Sequence, residues 1–478
     1  MRPLVKELST SQTPESLAAS LQRGQDGLVL LRSAQSDSRT GRYSFLAARP
    51  FLTFRSVGSR AEIRYPDCID VQYGNPWSLL DSLMSRYELL EEMDLPFPLG
   101  GCFGYWGYDL KNFVEPKLSR RALNDLELPD CHIGFYHSLV VFDHYLGKTW
   151  VVSTGLSADG SRDENKAHKQ LEFWEELISR EQVCDPDETD LPACRTDHIG
   201  SNLTRAEFVA RVQKAQAYIR AGDIYQVNLS QRLRAPLPGS AWQLFERLSA
   251  VSPAPFSSCL NCGDFQVVSS SPELFLRLSG SHIQTRPIKG TRPRSADPTR
   301  DTQLAYELQT NAKEMAELVM ITDLLRNDLG KVCQFGSVQV PELVRLERFP
   351  QVQHLVSTVE GRLKSGITHF DAFASCFPGG SVTGAPKFRA MEIIDELEAV
   401  TRGPYTGAIG YLGFNRESQL SITIRSAVCK DDTAWFHVGA GIVADSSPEA
   451  EYEETLAKAE GFVQALKLSP RIRYDCVR

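Results

Sequence analysis

Between residues 27 and 152, apolar and polar positions change over in short β-like runs such as Gly41-Arg42-Tyr43-Ser44-Phe45-Leu46, set apart by turn residues. This part of the chain is expected to be sheet-rich, interrupted by a helix over residues 77–90. A charged helical stretch follows at 165–180. Residues 183–200 are rich in Asp, Pro and Thr, and they divide the chain into a sheet-rich region 1–182, a linker 183–200 and a second region 201–470.

The second region opens on a capping box, Thr204-Arg205-Ala206-Glu207. Phe208, Val212, Ala215 and Ile219 then fall on one helical face, and Gly222 stops the helix. Strands are expected at 227–233, 265–269 and 274–278, one long helix at 301–329, a helix at 387–397, and a last helix at 448–466.

The chain has 478 residues, with 52 Lys and Arg against 60 Asp and Glu, a formal charge of -8. No basic block dominates any stretch, which argues against a nucleic-acid surface. There is no run of about 18 apolar residues and no apolar core of a secretory signal near the start, so a cytoplasmic protein without a membrane partner is expected. Eleven scattered cysteines fit free thiols better than a disulfide framework. Cys259 and Cys262 form a C-x-x-C with no second pair at metal spacing, so core packing is favoured over zinc.

Lys289, in Arg286-Pro287-Ile288-Lys289-Gly290-Thr291, places an amine at the end of an apolar strand beside a glycine turn. A free lysine with a pKa of about 10.4 is neutral in only about one molecule in a thousand near neutral pH. Desolvation or a neighbouring cation could lower that pKa by roughly 3 and make the amine a nucleophile. On this segment alone, a solvated turn lysine explains the pattern better, and other segments must overturn that reading.

Glu314 and Glu317 are three residues apart and share a helix face, and Glu451 and Glu454 repeat the spacing on another helix. If the four converge, an oxygen-only cluster suits Mg²⁺. If they do not, they are solvated faces. The run Pro378-Gly379-Gly380-Ser381-Val382-Thr383-Gly384 precedes a helix and could offer N–H groups to an anion, without being a P-loop. Val438-Gly439-Ala440-Gly441 likewise allows close backbone approach, and tight packing explains both runs as readily. Gly100-Gly101-Cys102-Phe103-Gly104 mimics a glutaminase turn, but none of the nine histidines is followed two positions later by glutamate, so Cys102 lacks a base.

Together these segments, with Asp223-Ile224-Tyr225-Gln226-Val227-Asn228-Leu229, Ser270-Ser271-Pro272-Glu273 and Asp323-Leu324-Leu325-Arg326-Asn327-Asp328, resemble the chorismate-utilising enzymes, and within them the aminodeoxychorismate synthase component I branch. The resemblance implies an α+β fold of the anthranilate synthase component I type, with packed β-sheets flanked by helices. It implies Mg²⁺ held by Glu314, Glu317, Glu451 and Glu454, gripping the ring carboxylate of chorismate. Arg425, Tyr411 and the backbone at Gly441 are implied to bind the enolpyruvyl carboxylate, with His354, Ser381 and Lys458 lining the site.

Glu273 falls on the general acid and Lys289 on a covalent nucleophile; related anthranilate synthases usually carry alanine at the latter position. Gln226 stands where isochorismate-type enzymes use a lysine to activate water. The implied reaction is conversion of chorismate and ammonia to 4-amino-4-deoxychorismate for p-aminobenzoate and folate synthesis. Ammonia is implied to come from a separate glutamine amidotransferase subunit. An anthranilate synthase and a non-catalytic chorismate-binding regulatory subunit are the rival readings. Leu30-Leu31-Arg32-Ser33 resembles a tryptophan pocket, but Arg32 replaces the usual acid, which leaves a bound structural tryptophan as the weaker implication.

Overall fold

The computed structural model describes residues 2–22, 27–33, 41–90, 93–180, 199–349 and 352–467. Among these residues the fold is α+β, with two twelve-stranded antiparallel sheets and eleven α-helices. The first sheet runs from the edge strand Leu4–Leu8 through Tyr43–Ala47, Val29–Arg32, Phe256–Asn261, Gln266–Ser271, Ser426–Lys430 and Thr433–Ile442 to Gln226–Pro236 and the short edge strand Gly200–Ser201. The second runs from Ile288–Pro293 through Val352–Arg362, Leu274–Ser279, Glu417–Ile422 and Ala408–Gly413 to Gly101–Trp106 and the edge strand Ile69–Tyr73.

Each sheet therefore takes strands from both sides of residues 183–200. Val29–Arg32 pairs with Phe256–Asn261 in one sheet, and Gly101–Trp106 pairs with Ala408–Gly413 in the other. Of the expected linker, residues 183–198 lie outside the described residues.

Successive strand side chains point to opposite faces, which explains why many strands read as apolar runs. Phe45 packs between the sheets, its ring centroid 4.9 Å from that of Tyr411. Its neighbour Leu46 enters a second core under the helices Pro14–Leu21, Glu164–Ser179, Ala241–Val251 and Pro448–Lys467. Helices Arg205–Arg220 and Lys387–Leu397 cover Val227, Leu229, Ala440 and Ile442 in a third.

Three element expectations are corrected. The helix expected over 77–90 is shorter, Pro76–Met84. The long helix expected over 301–329 is two, Pro298–Thr310 and Ala312–Val332, broken at Asn311. The Asn311 backbone is extended, and its side chain accepts from the Glu314 N–H at 3.1 Å to cap the second helix. The glycine run at 438–443 is not a loop: Gly439 and Gly441 lie inside the strand Thr433–Ile442, opposite Ser230 and Asn228. No helix of the described residues is long and apolar enough to cross a membrane. The eight described cysteines are free, and Cys259, Cys262 and Cys102 are buried in the cores, where burial pushes their thiols up.

Candidate active site

Strand Ile288–Pro293 shifts register between Lys289 and Thr291, at Gly290. Gly290 has φ +67, and a Cβ there would lie 2.7 Å from Leu308 Cδ1 and 3.0 Å from Glu314 Oε2. Glycine is thus required for the bend and for the approach of the second helix. That approach brings Lys289 Nζ to 3.0 Å from Glu317 Oε1, and Nζ also donates to the Ser381 carbonyl at 3.3 Å. Gln226 Nε2 donates to the same Glu317 oxygen at 2.7 Å. A Cβ on Gly441 would meet that Nε2 at 2.6 Å and the carboxylate at 3.3 Å, so the strand glycine makes room for the Gln226–Glu317 pair.

Burial pushes the Lys289 amine down, but Glu317 outweighs it, with Glu273 and Glu454 adding to the effect. The ammonium form is favoured. The conditions that would lower the pKa are not met: Lys289 is enclosed with carboxylates rather than by apolar groups or cations. Glu317 is correspondingly held low, because Lys289 and Gln226 overcome its burial. Glu273 goes the other way, raised to about 6 by burial against the opposing effects of the Ser381 hydrogen bond, Lys289 and the Ile288 backbone.

His354 Nδ1 lies 2.9 Å from Thr291 Oγ1, and burial followed by Arg425 lowers the ring to about 4, so it is neutral at pH 7. Arg425 has φ +50, a strained backbone for a non-glycine residue, and burial alone lowers its pKa. Among the described residues it has no carboxylate partner. An enclosed cation of this kind suits an incoming anion, since burying an unpaired charge is costly.

The four glutamates lie around one cleft, yet each faces its own cation. Arg292 Nη1 is 3.4 Å from Glu314, Lys289 3.0 Å from Glu317, Lys313 4.0 Å from Glu451, and Lys458 2.8 Å from Glu454. Lys458 also donates to the Gly439 carbonyl at 2.9 Å. Among the described residues no three acidic, His or Cys side chains stand at metal-binding spacing. In this set each carboxylate is thus paired with a lysine or an arginine. The donor chemistry of the set, oxygen without nitrogen or sulfur, fits Mg²⁺.

Tyr411 is a correction. It is 5% exposed and its ring packs on Phe103 at 5.3 Å and Phe45 at 4.9 Å, in the core between the sheets rather than in the cleft. Strand alternation turns it inward. Tyr405 packs against the strand Thr433–Ile442, its ring stacked on His437 at 5.0 Å and its hydroxyl 2.7 Å from where a Gly439 Cβ would be. In the N-terminal region, Arg32 pairs with Glu15, and the Ser33 N–H donates to Ser44 Oγ at 2.9 Å.

Residues 34–464 match the model of the chorismate binding enzyme family. The chain is 40% identical over 441 residues to aminodeoxychorismate synthase component 1 of Salmonella typhimurium, covering 92% of this chain and 93% of that one. It is 37% identical over 455 residues to anthranilate synthase component 1 of Acetivibrio thermocellus, covering 93% and 91%. Among solved structures, anthranilate synthase component I from Streptococcus pneumoniae superposes with a TM-score of 0.79 at 32% identity, covering 89% of this chain and 93% of that one. Matched to that family over residues 34–464, nearly its whole length, the chain belongs to the chorismate-binding enzymes.

Proposed function

We propose that this enzyme aminates chorismate at C4, giving 4-amino-4-deoxychorismate with ammonia delivered by a separate glutamine amidotransferase subunit. Relatives named for this reaction and for anthranilate synthesis are about equally similar, so overall identity does not choose between them. The observation that carries the reading is the placement of Lys289 in the cleft, 3.0 Å from Glu317 and within the field of Glu273.

In this reading Lys289 first gives up its proton to solvent, since a lysine attacks only as the free amine. The freed amine bonds to the ring carbon next to the carboxylate-bearing one. Both ring double bonds shift in turn, the C4–O bond breaks, and Glu273 protonates the departing hydroxyl to water. Ammonia then bonds to C4, both double bonds return, and the lysine–carbon bond breaks. The two displacements leave nitrogen where oxygen was, at a net exchange of ammonia for water. Gln226, an amide rather than a base, does not activate water as a competing nucleophile. Arg425, Gly441, His354 and Ser381 would hold the substrate's carboxylate and ring.

Glu314, Glu317, Glu451 and Glu454 would hold Mg²⁺, which when bound supplies a positive anchor for the ring carboxylate. Glu314→Gln and Glu454→Gln are each expected to raise the Mg²⁺ concentration needed for half-maximal activity. An unchanged Mg²⁺ titration in both removes this assignment.

The deciding assay incubates the chain with Mg²⁺, chorismate and ammonium. The expected product is one that a lyase converts to p-aminobenzoate, with Lys289→Ala losing most turnover and any covalent adduct detectable by mass spectrometry. Direct release of anthranilate favours the anthranilate synthase reading, and an adduct retained in Lys289→Ala overturns the nucleophile role.

A further inference from the structure

Behind the loop that carries Ser381 lies a buried ion pair that the chemistry above does not use. Arg402 Nε and Nη2 donate to Glu398 Oε2 and Oε1 at 2.8 and 2.7 Å. Its other contacts reach outward. Nη1 donates to the Val382 carbonyl at 3.2 Å and the Thr406 hydroxyl at 3.1 Å, and Nη2 donates to the Asn228 carbonyl at 2.7 Å. Glu398 accepts in turn from the Ser230 N–H at 2.8 Å and hydroxyl at 2.9 Å. The guanidinium lies 4.7 Å from the Tyr108 ring centroid, and both members of the pair are almost fully buried.

The strand Gln226–Pro236 connects this pair to the cleft. Side chains at 226, 228 and 230 share one face. Gln226 bonds Glu317, Asn228 Nδ2 donates to the Val382 carbonyl at 3.2 Å, and Ser230 bonds Glu398. Val382 therefore receives N–H groups from both Arg402 and Asn228. The next residue back is Ser381, whose carbonyl takes Lys289 Nζ and whose side chain bonds Glu273. Displacing the Val382 carbonyl would move both contacts at once.

We propose that Arg402, clamped by Glu398, is a positioning residue: it fixes the Val382 carbonyl and thereby holds Ser381 against Lys289 and Glu273. What the loop does rests on the amination reading above, whereas the clamp itself stands on geometry. A lysine at 402 keeps the charge but cannot supply the planar fork that reaches Glu398, Val382 and Asn228 together. The alternative is an ion pair that serves folding alone.

Arg402→Lys in the full chain is read by backbone hydrogen exchange and by steady-state kinetics. Exchange across residues 379–384 is expected to quicken roughly ten-fold while helix Lys387–Leu397 and strand Thr433–Ile442 keep their rates. Among kinetic constants, kcat is expected to fall roughly ten-fold with KM for chorismate within about three-fold of wild type. Added to Ser381→Ala, the change is expected to cost less than its full factor of roughly ten, because the Glu273 contact is already lost and only the carbonyl contact with Lys289 is left to disturb.

If Arg402→Lys does not fold, Glu398→Gln gives the same test, since it removes the charge that orients the fork. Loop exchange that is unchanged or quickened equally everywhere overturns the proposal, as does a kcat loss that multiplies in full with that of Ser381→Ala. A wild-type chain that leaves chorismate and ammonium unreacted overturns the functional reading, and the exchange measurement then decides the positioning claim by itself.

Discussion

Glu273 and Lys289 sit in one enclosure and respond to it in opposite senses. Burial raises Glu273 to about 6, while Lys289 is kept charged because Glu317 outweighs its burial. For Glu273 the folded pKa exceeds the unfolded one, so its proton favours folding at low pH, and that contribution is lost as pH rises through about 6. The same sign governs catalysis by a general acid. We expect kcat/KM to decline on a limb with an apparent pKa near the about 6 of Glu273. In Ser381→Ala the limb is expected to move to higher pH, since the lost hydrogen bond had been lowering that pKa. A pH–rate series on both proteins checks this, and a limb that stays in place removes Glu273 as its source. At this scale the sequence identified Lys289, Glu273, Ser381, Gln226 and Gly441 as neighbours through separate short motifs. It left the charge of Lys289 open, because the number of carboxylates around an amine is set by distant segments.

The paired helices Pro298–Thr310 and Ala312–Val332 set the direction of Glu314 and Glu317. Asn311 ends one and caps the other, which places Glu314 in the first turn, where its N–H reaches the cap. The sequence reading ran through this residue because apolar periodicity continues on both sides of it, and one N-cap carries a weaker signal than the period. Asn311→Ala is expected to cost about 1 kcal/mol of stability, in the usual range for a lost cap. It should also quicken exchange in the first turn of the second helix. Denaturant unfolding with exchange mass spectrometry measures both, and no change in either removes the cap as the element that sets Glu314. By contrast, Thr204 and Glu207 form a complete capping box before Arg205–Arg220, and the helix Lys387–Leu397 begins and ends where its pattern does. Local chemistry sufficed for both, through cap and apolar face together in the first and through the apolar face alone in the second, whose Pro386 makes no side-chain cap.

Across the molecule, the regions before and after residues 183–200 complete each other's sheets. A fragment beginning at residue 199 would leave Phe256–Asn261 without Val29–Arg32 and Ala408–Gly413 without Gly101–Trp106. Apolar faces and ladder N–H groups would be exposed on both sheets. We expect that fragment, made alone, to lack a cooperative unfolding transition, and co-production with residues 1–180 to restore one. Calorimetry of the two preparations decides, and a cooperative transition in the fragment alone would show that the regions fold independently. The sequence by itself determined most local elements, because caps and periodicity act over a few neighbours, and through its resemblance to known enzymes it determined the α+β class and the family. Only the tertiary structure decided that strands from both regions share each sheet, that Tyr411 turns into the core, that each glutamate faces its own cation, and that Lys289 stays charged. Those outcomes depend on which distant side chains meet in a low-dielectric interior, and spacing along the chain carries no record of that.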